Sequence, residues 1–129
     1  MTIQLPLIVL LAALGPTTTA AATEVLAADK PTMIDGVETV CTGAGLDARA
    51  DPRWPEYPTR LEFADKHGRY LGDATVHVTG NGKNISVHCQ GPWVLMKLPE
   101  GSYKVSTDIA GSGRRDLTVN APGRVIVQF

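Results

Sequence analysis

Three histidines, His67, His77 and His88, are the side chains of this chain best suited to proton transfer or metal ligation near neutral pH. His77 lies between Val76 and Val78, and His88 between Val87 and Cys89, so strand alternation turns both away from a core. If Asn81-Gly82 makes a two-residue turn, Val78 pairs with Ile85 and Val76 with Val87, which sets His77 opposite Ser86 and His88 opposite Thr75. The two imidazoles are then diagonal neighbours, about 7–8 Å apart at the backbone. They could converge on one metal ion, with Asp73 as a third ligand near the strand end. The competing reading is two polar residues on a solvated sheet face. It is favoured because no close-spaced ligand motif such as His-x-x-x-His is present.

The other reactive side chains are Cys41 and Cys89. Two cysteines are too few for a structural zinc site by themselves, and an even number in an exported chain points to a disulfide. Each shares the parity of apolar neighbours, Cys89 with Ile85 and Val87, and Cys41 with Val37. A core-facing bridge between two strands is the expected arrangement. No serine nucleophile elbow is present, and Asp47 with Asp51 as a paired carboxylate site is equally well explained by surface charge. Catalysis is therefore not expected, a small hydrolase being the least favoured reading. No cofactor is implied.

A contact surface is better supported by the segment GAGLDARADPRWPEYP, residues 43–58. A connection of this length without secondary structure of its own is unusual in a compact domain, and such loops are often functional. Pro52, Pro55 and Pro58 recur at the polyproline II period, and Arg53, Trp54, Glu56 and Tyr57 between them are residue types suited to partner binding. Alternatively, Trp54 and Tyr57 fold back to cap the end of the domain.

The elements that must position these residues follow a period of two. Strands are expected at residues 37–42, 59–65, 73–79, 84–90, 93–98, 102–110, 115–120 and 124–129. They are separated by turn chemistry at Asn81-Gly82, Pro99-Glu100-Gly101, Gly111-Ser112-Gly113 and Pro122-Gly123. Short strands at this spacing predict an all-β, antiparallel sandwich of about seven to eight strands with one disulfide. The stretch WVLMKLPEGSYKV, residues 93–105, reads as a strand–turn–strand hairpin.

Ahead of the strands, Leu5 to Leu14 is an apolar run of the length of a signal-peptide core, too short to span a bilayer. A signal peptide over residues 1–22 is expected, with cleavage after Ala22 or as late as Ala27, although MTIQ lacks the usual positive side chain. Residues 23–35 are then a flexible lead-in, and 36–129 the domain. No stable membrane anchor is expected after cleavage. A net charge of −1 with mixed signs argues against nucleic acid as a partner.

The hairpin carries a resemblance. Leu98-Pro99, Gly101, Tyr103 and Val105 resemble the Leu-Pro-x-Gly-x-Tyr-x-Val signature of carboxypeptidase regulatory-like domains, the transthyretin-like β-sandwich family. The Val-Cys-Thr-Gly segment at 40–43 and Cys-x-Gly-Pro-Trp at 89–93 are similar to small exported bacterial proteins that carry this domain alone. That resemblance implies a transthyretin-like or Ig-like sandwich and a role in binding or assembly rather than turnover. It does not extend to the transthyretin-like hydrolases of purine breakdown. Those end in Tyr-Arg-Gly-Ser and use N-terminal histidines, whereas this chain ends RVIVQF and has no histidine before His67.

The combined expectation is a periplasmic or secreted, non-enzymatic module that presents the 43–58 loop to a protein or a cell-envelope glycan. A periplasmic metal-binding protein using His77 and His88 is the alternative.

Overall fold

The computed structural model describes residues 21–129, so the apolar run at 5–14, and most of the signal peptide expected over 1–22, lie outside the described residues. Among the described residues ten strands form two five-stranded sheets packed face to face. The first sheet has the order β1 (Glu24–Val25), β6 (Lys83–Cys89), β5 (Ala74–Gly80), β8 (Gly101–Ile109), β9 (Gly113–Ala121). The second has the order β10 (Gly123–Gln128), β4 (Thr59–Ala64), β7 (Trp93–Met96), β3 (Val37–Thr42), β2 (Thr32–Ile34). All eight expected strands are present within one or two residues of their expected bounds, and the all-β sandwich is as expected. Two edge pairings, β1 with β6 and β10 with β4, are parallel, so each sheet is mixed rather than purely antiparallel.

Alternation builds the core. Val76, Val78, Ile85, Val87, Tyr103 and Val105 point inward from the first sheet and meet Leu61, Phe63, Val94 and Met96 from the second. Cys41 on β3 and Cys89 on β6 join across this core in a disulfide, their Cα atoms 5.5 Å apart. The bridge ties the two sheets to each other, a covalent link that persists in oxidising compartments. Among the described residues no helix is long and apolar enough to cross a membrane.

The Asn81-Gly82 turn forms as expected, with φ of 49° and 75°, the left-handed pair that a two-residue hairpin requires. It fixes the register of β5 on β6: Val78 faces Ile85, Val76 faces Val87, His77 faces Ser86 and Thr75 faces His88.

Two expectations are corrected. Residues 93–105 are not a hairpin: β7 pairs with β3 and β4, and β8 pairs with β5 and β9, so the chain crosses from one sheet to the other between them. The Tyr103 hydroxyl donates to the Pro99 carbonyl at 2.6 Å and accepts from the Asn81 amide at 3.3 Å, closing the crossing against the β5–β6 turn. Residues 23–35 are not a flexible lead-in either. They contribute β1 and β2, and Leu26 between them is 4% exposed in the core. Short strands at sheet edges carry little periodic signal, which is why the sequence did not reveal them. A cut after Ala27 would remove β1 and Leu26, whereas one after Ala22 would leave both.

The disulfide closes a loop of 49 residues, from the separation of 48 between its cysteines. Replacing both cysteines by serine is expected to cost about 4 kcal/mol on the chain-entropy model. Urea unfolding of the two proteins measures this, and a loss well under half that size would mean the sheets hold together without the bridge.

Candidate functional site

The sandwich has two outer faces, and they differ. The outer face of the second sheet has an apolar centre, because Val40, Trp93 and Leu95 project from it. The 43–58 connection lies over these side chains. It carries structure of its own, a single helical turn α1 (Leu46–Arg49) and a 3-10 turn over Trp54–Glu56, in place of the expected polyproline run. Trp54 and Tyr57 pack on Val40, Trp93 and Leu95 with their rings edge to face, centroids 5.8 Å apart. The indole N–H of Trp54 donates to the Ala48 carbonyl at 2.6 Å, so the helical turn satisfies the buried donor.

Trp54 is 1% exposed and Tyr57 8%, and burial pushes the Tyr57 phenol above its ordinary range. Of the four residues expected to meet a partner, Trp54 and Tyr57 are therefore covered and cap the sheet. Arg53 and Glu56 remain on the surface. Arg53 is held by Asp51 at 2.7 Å and lies over the Trp54 ring at 4.5 Å.

The cap is clamped at its start by Gly43. Its φ is 92°, and a Cβ there would stand 2.7 Å from Cγ of Trp93, so only glycine lets the chain lie flat on that indole. Arg60 covers another part of the same ring, with its guanidinium carbon 4.3 Å from the centroid. Glu62 beside it is 0% exposed and accepts from Arg124 and from the Tyr70 hydroxyl, the latter at 2.9 Å.

The outer face of the first sheet is open and polar. Register places its side chains in rows across four strands. His88 lines up with Thr75, Asp108 and Arg114, and Ser86 with His77, Ser106 and Asp116. Asn84 lines up with Thr79, Lys104 and Thr118. All of these except His88 and Asn84 line a shallow groove of about 880 Å³. At its β1 side the Thr23 hydroxyl bonds Ser86 at 2.8 Å. At its β9 side a hydrogen bond from the Ser106 hydroxyl, with the Arg114 guanidinium next, holds the Asp116 carboxyl below the usual carboxylate range.

The histidines belong to this grid. Nε2 of His77 bonds the Asn84 side chain at 2.9 Å, and Nδ1 of His88 bonds Thr75 at 3.0 Å. Asp73 lies 3.7 Å from Nε2 of His88, at the strand end, while His77 is turned the other way. The proposed metal set of His77, His88 and Asp73 is thus not brought together. Among the described residues no group of three or more His, Cys, Asp or Glu is arranged to hold a metal ion. Asp116 bonds Ser106 rather than His77, so no carboxylate orients that imidazole for proton transfer. What the face offers is a dense array of hydrogen-bond donors and acceptors with charges of both signs. Sequence reasoning missed it by pairing β5 with β6 alone; carrying the same parity into β8 and β9 would have shown polar rows across four strands.

No protein-family model matches the chain, and neither a curated protein nor a solved structure matches it.

Two outcomes follow from this geometry. Trp54→Ala should remove a buried indole from the cap and cost about 3–5 kcal/mol, measured by chemical denaturation. An unchanged stability would mean the ring is not part of the core. Four carboxyls, Glu38, Asp51, Asp65 and Asp116, are held below their ordinary values, each first by a hydrogen bond. A carboxyl that binds its proton less readily folded than unfolded stabilises the fold above the unfolded value and ceases to as pH falls through the folded one. The melting temperature should therefore be level above the ordinary glutamate value of 4.5 and decline below it. Because these groups lie at the surface the decline should be modest, and Asp116→Asn should flatten it further in a pH series.

Proposed function

We propose that this chain is an exported, non-enzymatic binding module of the transthyretin-like kind, and that it recognises its partner with the outer face of the first sheet. The observation that carries this reading is the contrast between the two faces. The aromatic loop that looked like a contact surface is used as a lid on the second sheet. The first sheet instead keeps half-buried Thr75, His77, Thr79 and Ser106 facing an uncovered groove. A strand scaffold with a disulfide across its core holds such side chains rigidly, so little ordering cost is added on binding.

The partner class that suits the face is a hydroxyl-rich one, a cell-envelope glycan. Closely set Ser and Thr hydroxyls both donate and accept, as sugar hydroxyls do. Lys104, Arg114, Asp108 and Asp116 supply charge-assisted bonds of either sense, which are about twice as strong as neutral ones. The inter-sheet disulfide agrees with a periplasmic or secreted setting, as does the signal-like N-terminal run.

Amide shifts recorded by NMR while cell-wall oligosaccharides are titrated should move at Thr75, His77, Ser106 and Thr118 and leave the 43–58 segment still. The paired change His77→Ala with Asp116→Ala should weaken binding about tenfold. Shifts concentrated in 43–58, or none with any glycan tested, would refute the face as the recognition surface.

A further inference from the structure

A second groove lies on the opposite side of the molecule, where β4 and β10 run parallel beside the cap. Register places Arg60 directly beside Arg124, and in a parallel pair both side chains leave the same face of the sheet. The groove between them measures about 430 Å³, and its other walls are Pro55, Pro58 and Pro122 with the edge of Tyr57. It is small, rimmed by proline rings, and lined by two arginines.

The two arginines are held ready rather than neutralised. Arg124 donates through Nε and Nη2 to Glu62, which leaves Nη1 free, and its side chain is 60% exposed. Glu62 projects from the same outer face but is covered by its neighbours, and it also accepts from the Tyr70 hydroxyl, so it fixes the guanidinium without lining the groove. Arg60 makes no ion pair among the described residues. Its guanidinium is kept in place by the Trp93 ring at 4.3 Å, a contact that leaves the N–H edges unoccupied. The other acid on this face of the sheet, Glu38, is paired with Lys97 at 2.6 Å. The residues lining the groove include two arginines and no carboxylate; Glu62 is bonded to one of them from outside the lining, and Glu56 stands exposed on the cap between the lining residues Pro55 and Tyr57.

We propose that this groove is an anion site, and that its ligand is a carboxylate carried on a compact ring, an acidic monosaccharide unit of the uronate type. A planar carboxylate can take the open fork of the Arg60 guanidinium with two parallel hydrogen bonds, and Nη1 of Arg124 adds a third donor. The proline walls and Tyr57 offer C–H surface to a ring, and the volume is ample for a sugar ring. The site is built on the opposite sheet from the polar face and does not depend on that face binding anything.

Galacturonate is the probe, with galactose as its neutral counterpart, titrated into the oxidised protein by NMR. Galacturonate should shift the amides of Arg60, Gly123 and Arg124 and saturate, at an affinity about tenfold or more above that of galactose. Arg60→Gln should lose that difference. Arg60→Lys retains a cation over Trp93, so it keeps the fold if the glutamine variant does not, and it should bind several-fold more weakly than Arg60 for want of the planar fork. Equal response to the acid and the neutral sugar, or an affinity unchanged in both variants, would overturn the site. Complete displacement of galacturonate by an equal concentration of inorganic sulfate would overturn the ring-borne carboxylate as its ligand. Because the reporting amides are on β4 and β10, the outcome is separable from shifts on the first sheet.

Discussion

Because Trp93 and Leu95 point out of the sandwich while Val94 and Met96 point into it, β7 can be desolvated only if something covers the second sheet from outside. Much of the molecule answers that requirement. The long connection after β3 returns over the strand, and Trp54 and Tyr57 supply the missing hydrophobic layer. Gly43 lets the backbone touch the indole at the start of this path, and the pair Lys97–Glu38 closes its far side, with the Lys97 ammonium 4.9 Å over the Tyr57 ring. The cap is a third layer, thinner than a sheet and without a hydrogen-bonded ladder of its own, whose stability comes from aromatic burial.

Once one face is covered in this way, the open face of the sandwich is that of the first sheet. The first sheet has no such covering, and the residues of its outer face on β5, β6, β8 and β9 are polar, so it needs none. The disulfide matters to both faces, because it is placed between β3 under the cap and β6 under the grid. A rigid middle lets each outer surface be specialised without disturbing the other.

Much of this was legible in the residues. Eight strands, the Asn81-Gly82 turn, the register of β5 on β6 and the pairing of Cys41 with Cys89 all follow from alternation and turn chemistry, which act over a few residues. What could not be read depends on which sheet each strand joins. WVLM is apolar at every position, so it has no parity to declare a face, and its crossing to the other sheet looks like a hairpin turn. Trp54 and Tyr57 have the composition of a contact loop whether they meet a partner or their own sheet. Only the apolar outer side of β7, which alternation cannot show, decides between the two. The groove between Arg60 and Arg124 was hidden for a similar reason, since a parallel pairing of strands 64 residues apart leaves no local trace.

The nine-residue strand β9 forms one margin of the first sheet, and a strand in that position presents a row of peptide groups to any other chain with an open margin. Its first half is guarded. Arg114 and Asp116 stand on one side of the ribbon, 3.0 Å apart, and Arg115 on the other reaches across to the Gln128 carbonyl and over the Phe129 ring. An incoming strand would have to strip water from these charges before it could pair. Its second half runs into Pro122, which has no amide hydrogen to offer, and the chain bends away there into the other sheet. At the opposite margin the two residues of β1 leave too short a template to extend. The first sheet is in this way guarded at both margins against pairing with a further strand.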